Sequence, residues 1–319
     1  MQNQSSLERV AVTGAGGFLG RHLARALFAL ECDPLLLVNT PLEKGFSFEA
    51  RQAKLDLTDP KAVTEVLERE RPATLFHLAG TRALGHERPW SDCVELNVAA
   101  TVHLLDAARR AEVQRVIIIG SADEYGNQPG PLRETLPLLP VSPYAVSKAA
   151  ATRFAQAMYE RDGCPVVILR PFTVYGPRQP VNMFVSEAID CALRGEAFRM
   201  TEGTQRRDLV YLDDAIRAFI AAAQATSIDG RVINIGSGEA HALRDVAKLI
   251  WRLSESEAPL LIGARPAAAS EVHDTWADIS VAHESLGWEP RVSLEAGLTA
   301  MIEWTRNNLA ASERECPTK

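Results

Sequence analysis

The chain holds little cysteine: five residues in 319, at positions 32, 93, 164, 191 and 316. The number is odd and no pair has CxxC spacing, which excludes a disulfide framework and a zinc site. Reduced thiols in a cytoplasmic protein are the expectation. Positive charge is not in excess. Lys and Arg number 34 against 41 Asp and Glu, a net charge of −7, so no basic surface for nucleic acid is expected. No apolar run reaches the ~18–20 residues of a membrane span. "MQNQSSLERV" has neither a basic n-region nor an apolar h-region, so no signal peptide is expected. There is no internal repeat, no HExxH and no GxSxG elbow, so no metal site and no serine hydrolase are expected.

What is present is ordinary core material, 46% hydrophobic and 24% charged. Up to about residue 170, short runs of Val, Ile and Leu alternate with helical patterns. "RVAVTG", "PLLLVN", "ATLFHLAG", "RVIIIG" and "PVVILRPF" read as strands. The stretch from Gly17 to about Leu30, "SDCVELNVAATVHLLDAARRA" and "SPYAVSKAAATRFAQAMYERDG" read as helices. Continuous apolar strands separated by helices predict a parallel sheet covered on both faces, an α/β doubly wound Rossmann fold. After Phe172 the loops lengthen. The expected division is a Rossmann domain of 1–173 plus about 208–237 and a smaller C-terminal substrate-binding lobe of about 174–207 plus 238–308. Residues 309–319 read as a frayed tail. His77 ends a buried strand and reads as a satisfied core histidine.

"VTGAGGFLGRHLARAL" follows the first strand and opens the first helix. Gly14 permits a tight turn. Gly17 lets the amides at the helix start, around Phe18 and Leu19, approach a pyrophosphate where the dipole favours anions. Gly20 lets the helix pack close to the strand. In this strand–turn–helix context the glycines point to a dinucleotide. The acid that would bond an NAD ribose is missing at the end of the second strand, "LLLVNT", where Asn39 stands. Asn does not repel a 2′-phosphate, so NADP(H) is favoured and NAD(H) is possible. Lys44 and Arg51 are cations that could reach such a phosphate.

Tyr144 and Lys148 lie four apart in "SPYAVSK" and share one helix face. A phenol with pKa near 10 is a poor base at neutral pH. An adjacent ammonium stabilises the phenolate, so the tyrosine can exchange a proton with a carbinol or carbonyl.

"TGAGGFLG", "HLAG", "SADEYG", "SPYAVSK", "RPFTVYGPRQ", "RRDLVYLDD" and "LGWEP…SLEAGL" occur in the order typical of the extended short-chain dehydrogenases/reductases. The chain resembles that family over nearly its whole length. Its members are NAD(P)-dependent nucleotide-sugar epimerases, dehydratases, decarboxylases and 4-ketoreductases. The resemblance implies that Ser121 joins Tyr144 and Lys148 as a catalytic hydroxyl. It implies further that Asp56 and Leu57 contact adenine, that Leu78, Ala79 and Gly80 line the nicotinamide ribose with Lys148, and that Asn97 and Pro171 belong to the cofactor site. On the substrate side it implies Thr173, Asn182, Arg207, Arg265 and Glu271, with Arg82 from "GTRALG". The partner implied is a nucleotide-diphosphate sugar. A homodimer is implied, paired through helices whose Ala-rich faces at 97–111 and 145–159 could equally pack on their own sheet.

The segment "SADEYG" distinguishes reactions. Dehydratases resemble "TDEVYG", with an acid pair before the Val-Tyr. Here the two places hold Ala122 and Asp123. Ala122 donates no proton, as in 4-epimerases of the "SSATVYG" type. Asp123 is shorter than Glu by one methylene, roughly 1.5 Å of reach, and is similar to the "SSGDVYG" of 4-ketoreductases. It reads as catalytic or substrate-positioning, with a turn or cap role equally open. Strand alternation turns Glu124 the opposite way, toward solvent or structure. A nucleotide-sugar 4-ketoreductase is therefore favoured. A 4-epimerase with retained NAD is the alternative, and a dehydratase or decarboxylase ranks third. A non-enzymatic NADP sensor of the same fold is disfavoured by the intact Ser121, Tyr144 and Lys148.

Overall fold

The computed structural model describes residues 7, 9–42, 49–81, 90–267 and 272–315, the last five by backbone alone. Six strands carry the first half: β1 (Val10–Thr13), β2 (Leu35–Val38), β3 (Gln52–Lys54), β4 (Thr74–His77), β5 (Arg115–Ile119) and β6 (Val166–Pro171). Strand Val232–Ile235 joins them in a seven-stranded sheet, in the order Val232–Ile235, β6, β5, β4, β1, β2, β3. Every ladder is parallel. This is the doubly wound α/β fold anticipated from the apolar runs.

The runs are continuous because both sheet faces are covered. In β5, Ile117 and Ile119 face one core, shared with Leu23, Leu27 and Phe219. Val116 and Ile118 face the other, shared with Leu67, Leu104 and Ala155. The first face is packed by α1 (Phe18–Ala29) and helix Leu212–Gln224. The second is packed by α2 (Pro60–Glu70), α4 (Ala100–Arg110) and α5 (Pro143–Asp162). Helix α4 continues a short α3 (Trp90–Cys93) through a wider π-helical stretch, Val94–Ala99. The order reverses between β1 and β4. Their C-terminal ends form the crevice where ligands bind in open α/β sheets.

A third core lies outside the sheet. It gathers Tyr175, Ile189, Phe198, Tyr211, Ile250, Leu298 and Ile302. Strand Leu209–Tyr211 pairs with Thr173–Tyr175 as a separate parallel ribbon, while Val232–Ile235 returns to β6. The last helix spans Leu294–Glu315. It therefore runs into the segment expected to be a tail, because Ala, Glu and Arg there favour the helix. No helix among the described residues is long and apolar enough to cross a membrane.

Candidate active site

The glycine turn is set by contacts within the fold. Gly14 has φ +70°, and a Cβ there would stand 2.6 Å from the Ala79 backbone nitrogen. A Cβ on Gly20 would overlap the Gly14 carbonyl oxygen. The turn thus draws β1, α1 and the loop after β4 together. Gly17 begins α1 with extended backbone, and no side chain caps that end. Its first amides are left for an anion, and Phe18 and Leu19 line the adjoining cleft. This arrangement fits a dinucleotide pyrophosphate.

The Leu78–Gly80 loop is held from below by His77. The Ala79 amide donates to Thr13 Oγ1 at 3.2 Å, and Thr13 Oγ1 lies 2.8 Å from His77 Nδ1. On the far side His77 Nε2 is 3.0 Å from Thr101 Oγ1, which donates to the Asn97 carbonyl at 2.8 Å. With the Thr101 proton committed to Asn97, the imidazole carries its proton on Nε2 and accepts from Thr13 at Nδ1. Burial pushes its pKa down to about 3, with Lys148 adding to the effect. It is the satisfied core histidine expected.

Ser121 stands two residues past the end of β5 and caps a tight 3₁₀ turn, Ala122–Tyr125. Its hydroxyl accepts from the Asp123 amide at 3.2 Å. Glu124 does not follow strand alternation, since the segment is a turn. Its carboxylate is wholly buried. It accepts the Ser121 amide at 2.8 Å and pairs with Arg170 Nε and Nη2, both at 2.9 Å. Arg170 also donates to the Tyr125 hydroxyl at 3.1 Å, which donates to Asn234 Oδ1 at 2.7 Å. Of the two carboxylates in the turn, Glu124 is structural. Asp123 is exposed on the cleft wall.

Helix α5 starts at Pro143 behind Ser142, whose side chain accepts the Ala145 amide. Tyr144 and Lys148 reach the same cleft from its first turns. Lys148 Nζ donates to the Ile119 carbonyl at 2.8 Å. Desolvation brings its pKa down to about 8, against an opposing pull from Glu124. Asn97 lies in the π-helical stretch, buried behind the wall. Its Oδ1 accepts the Thr81 amide at 2.8 Å, and its Nδ2 donates to the Thr81 carbonyl and to Ser147 Oγ. Ser147 in turn donates to the Tyr144 carbonyl at 2.8 Å. Asn97 thereby ties the loop after β4 to α5.

One cleft of about 700 Å³ brings together Phe18, Leu19, Leu78, Gly80, Ser121, Asp123, Tyr144, Lys148, Pro171, Thr173 and Arg207. Arg207 donates to the carbonyls of Val272 and His273 at 2.6 and 3.2 Å. Other residues stand apart from its lining. Asn39 is exposed just past β2. Asp56 caps its own turn through Thr58, which lowers its pKa, and Leu57 packs on the sheet core. Asn182 is exposed beside Met183, which does line the cleft. Arg265 points to Glu187 at 3.2 Å. Arg82, Glu271 and Lys44 lie outside the described residues. Arg51 pairs with Asp33 and Glu70 at the amino-terminal ends of the strands, away from Asn39.

Asp208 was hidden in "RRD", where attention falls on the arginine. Wholly buried, it accepts from the Ser237, Gly238 and Ala277 amides and from the Ser237 hydroxyl. Its carbonyl accepts the Thr173 amide at 3.1 Å. The strand bearing Arg207 is thereby fastened to the segment bearing Thr275 and to Thr173, all on the cleft wall.

Residues 10–236 match the family described as the NAD dependent epimerase/dehydratase family. The chain is similar to a UDP-glucose epimerase of Bacillus subtilis (strain 168), named as uncharacterized. They share 31% identity over 313 residues, 93% of this chain and 97% of the relative. It is also similar to the dTDP-6-deoxy-L-talose 4-dehydrogenase (NAD(P)(+)) of Kitasatospora kifunensis, at 33% identity over 95% of this chain and 96% of that one. Among solved structures, MoeE5 in complex with UDP-glucuronic acid and NAD has a TM-score of 0.86 and 34% identity, covering 94% of this chain and 99% of that chain.

Proposed function

This chain belongs to the NAD dependent epimerase/dehydratase family, and from that premise we propose that it is a nucleotide-sugar 4-epimerase that retains its NAD. The observation that carries the reading is the make-up of the Ser121–Tyr125 turn. Eliminating water from a sugar needs an acid and a base beside the reacting carbons. Here Ala122 has no proton to give, Glu124 is buried on Arg170, and Asp123 alone of the turn's carboxylates faces the cleft. What remains supports oxidation and reduction at one carbon.

Tyr144 takes the proton of the C4 hydroxyl and later returns it. Ser121 steadies the same oxygen as charge develops on it. The Lys148 ammonium favours the phenolate form of Tyr144. Arg207, held on the carbonyls of Val272 and His273, brings its positive charge to the diphosphate, and Asp123 helps place the sugar. The glycine turn, Asn39, Asp56, Leu57, Leu78–Gly80, Lys148 and Pro171 would hold the cofactor, with Asn97 positioning the Thr81 side of that wall. When bound there, NAD would supply reversible hydride acceptance at C4. Between the two strokes the 4-keto sugar turns its other face.

NAD takes the place of the NADP favoured from Asn39. The similar MoeE5 structure holds NAD, and Arg51, one of the two cations available for a 2′-phosphate, is paired at the far end of β3. Likeness to the Kitasatospora 4-dehydrogenase supports a second reading, the 4-ketoreductase. Purified protein without added cofactor separates the two. The epimerase converts UDP-glucose or UDP-glucuronate to its C4 epimer and yields NAD on denaturation. Activity only toward a 4-keto sugar with added NADPH would make it the reductase.

The enzyme is further proposed to work as a homodimer. The alanines expected to mediate pairing, among them Ala107, Ala108 and Ala155, are buried in the chain's own core. Trp90, Val94, Val146 and Phe154 instead leave apolar surface exposed on α3, the wide stretch and α5. Sedimentation at micromolar concentration tests this.

A further inference from the structure

Within the proposed reaction at C4, the cleft also discriminates by charge. C6 is the exocyclic substituent of C5, the ring carbon next to the C4 that stands beside Tyr144 and Ser121. In one of the two orientations that the 4-keto sugar adopts in turnover, whatever C6 carries then lies by the turn that follows Ser121. That turn offers Ala122, with no polar group, and Asp123, with a carboxylate exposed on the cleft wall.

Asp123 is not free to swing its backbone away. The Ser121 hydroxyl accepts its amide, while the Glu124 carboxylate accepts the Ser121 amide and is itself clamped on Arg170. The turn is rigid from both ends and presents Asp123 to the cleft. Among the described residues lining the cleft, the cations are Lys148 and Arg207. Lys148 is engaged with the Ile119 carbonyl, and Arg207 with the carbonyls of Val272 and His273. Neither belongs to the turn. A carboxylate at C6 would therefore meet a like charge.

We propose that Asp123 is a specificity-determining residue, and that the enzyme takes nucleotide sugars uncharged at C6, hexoses or 6-deoxyhexoses, in preference to hexuronates. The inference rests on the 4-epimerase reading; the similar MoeE5 is described in complex with UDP-glucuronic acid and also with UDP-glucose. Two like charges about 6 Å apart at an effective dielectric of about 20 correspond to a factor on the order of 100 in affinity, and in full water to only a few-fold.

The test compares kcat/KM for UDP-glucose and UDP-glucuronate, with the C4 epimers separated by chromatography, in the wild type and in Asp123→Asn. The dissociation constants of both sugars are measured by calorimetry on the same two proteins. Expected is a wild-type preference for UDP-glucose of at least about tenfold, and an Asp123→Asn ratio shifted about tenfold toward the uronate. Only the ratio is read, so a general loss of rate in the variant does not matter. Equal or better use of UDP-glucuronate by the wild type would overturn the proposal, as would a ratio that Asp123→Asn leaves unmoved. Should neither sugar be turned over at C4, the 4-epimerase reading fails. The ratio of dissociation constants then still decides whether Asp123 excludes the carboxylate.

Discussion

The Glu124 carboxylate lies 2.9 Å from the Arg170 guanidinium, with both side chains almost completely shielded from water. A buried pair of this kind contributes little over an apolar replacement, but losing one partner leaves the other charge stranded. Glu124→Gln is expected to destabilise the protein by about 3–5 kcal/mol in chemical denaturation. Glu124→Val combined with Arg170→Met should recover most of that loss. If the double variant is no more stable than Glu124→Gln, the pair does not act through burial of charge.

Tyr144→Phe should lower turnover by about 10²–10⁴-fold, the usual weight of a general acid–base group, while the purified protein still carries its NAD. Rapid-quench turnover and the nucleotide content of the variant are the measurements. Near wild-type turnover would remove Tyr144 from the reaction.

Ser121→Ala should cost more than Asp123→Asn. In the proposed reaction the serine hydroxyl would steady the oxygen on which charge develops. The asparagine keeps the size of Asp123 and one acceptor oxygen, so the loss with a neutral sugar should stay below about 100-fold. Solvent deuterium at C5 of the product, together with an inactive Asp123→Asn, would instead mark Asp123 as a base acting on carbon.

Asn39→Asp should shift cofactor preference further toward NAD(H) over NADP(H), since a carboxylate accepts from a free ribose and repels a 2′-phosphate. The ratio of the two dissociation constants, taken on protein stripped of cofactor, reports the shift. An unmoved ratio would place Asn39 away from the ribose.

Lys148 links the site to pH. Burial brings its pKa from 10.5 to about 8, so folding disfavours its charged form. Below about pH 8 both states hold the proton and the cost is present in full. From there up to the unfolded value, the unfolded chain binds a proton that the folded chain has shed, and this group's contribution shifts in favour of folding. The difference in stability between cofactor-free wild type and Lys148→Met should therefore move toward the wild type between about pH 8 and pH 10. A flat difference would show that Lys148 keeps an ordinary pKa.

Much of this was present in the order of residues alone. Apolar runs such as "RVIIIG" determine a parallel sheet, because strands buried on both faces have no polar positions to alternate. The glycine turn and the Tyr144–Lys148 spacing are local, so their chemistry is legible from neighbours in the chain. Contacts between distant segments are not. Glu124 reads as solvent-facing until a tight turn brings it to Arg170, 46 residues away. Asp208 reads as an adjunct of Arg207 until its carboxylate gathers the amides of Ser237, Gly238 and Ala277. Arg51 could be offered to a phosphate only until Asp33 and Glu70 fixed it at the wrong end of the sheet. The sequence by itself determined the sheet, the glycine turn and the placing of Tyr144 and Lys148 on one helix face, since each depends on residues a few positions apart. Tertiary structure alone decided which carboxylate of "SADEYG" faces the cleft, because that choice is made by a guanidinium from another strand.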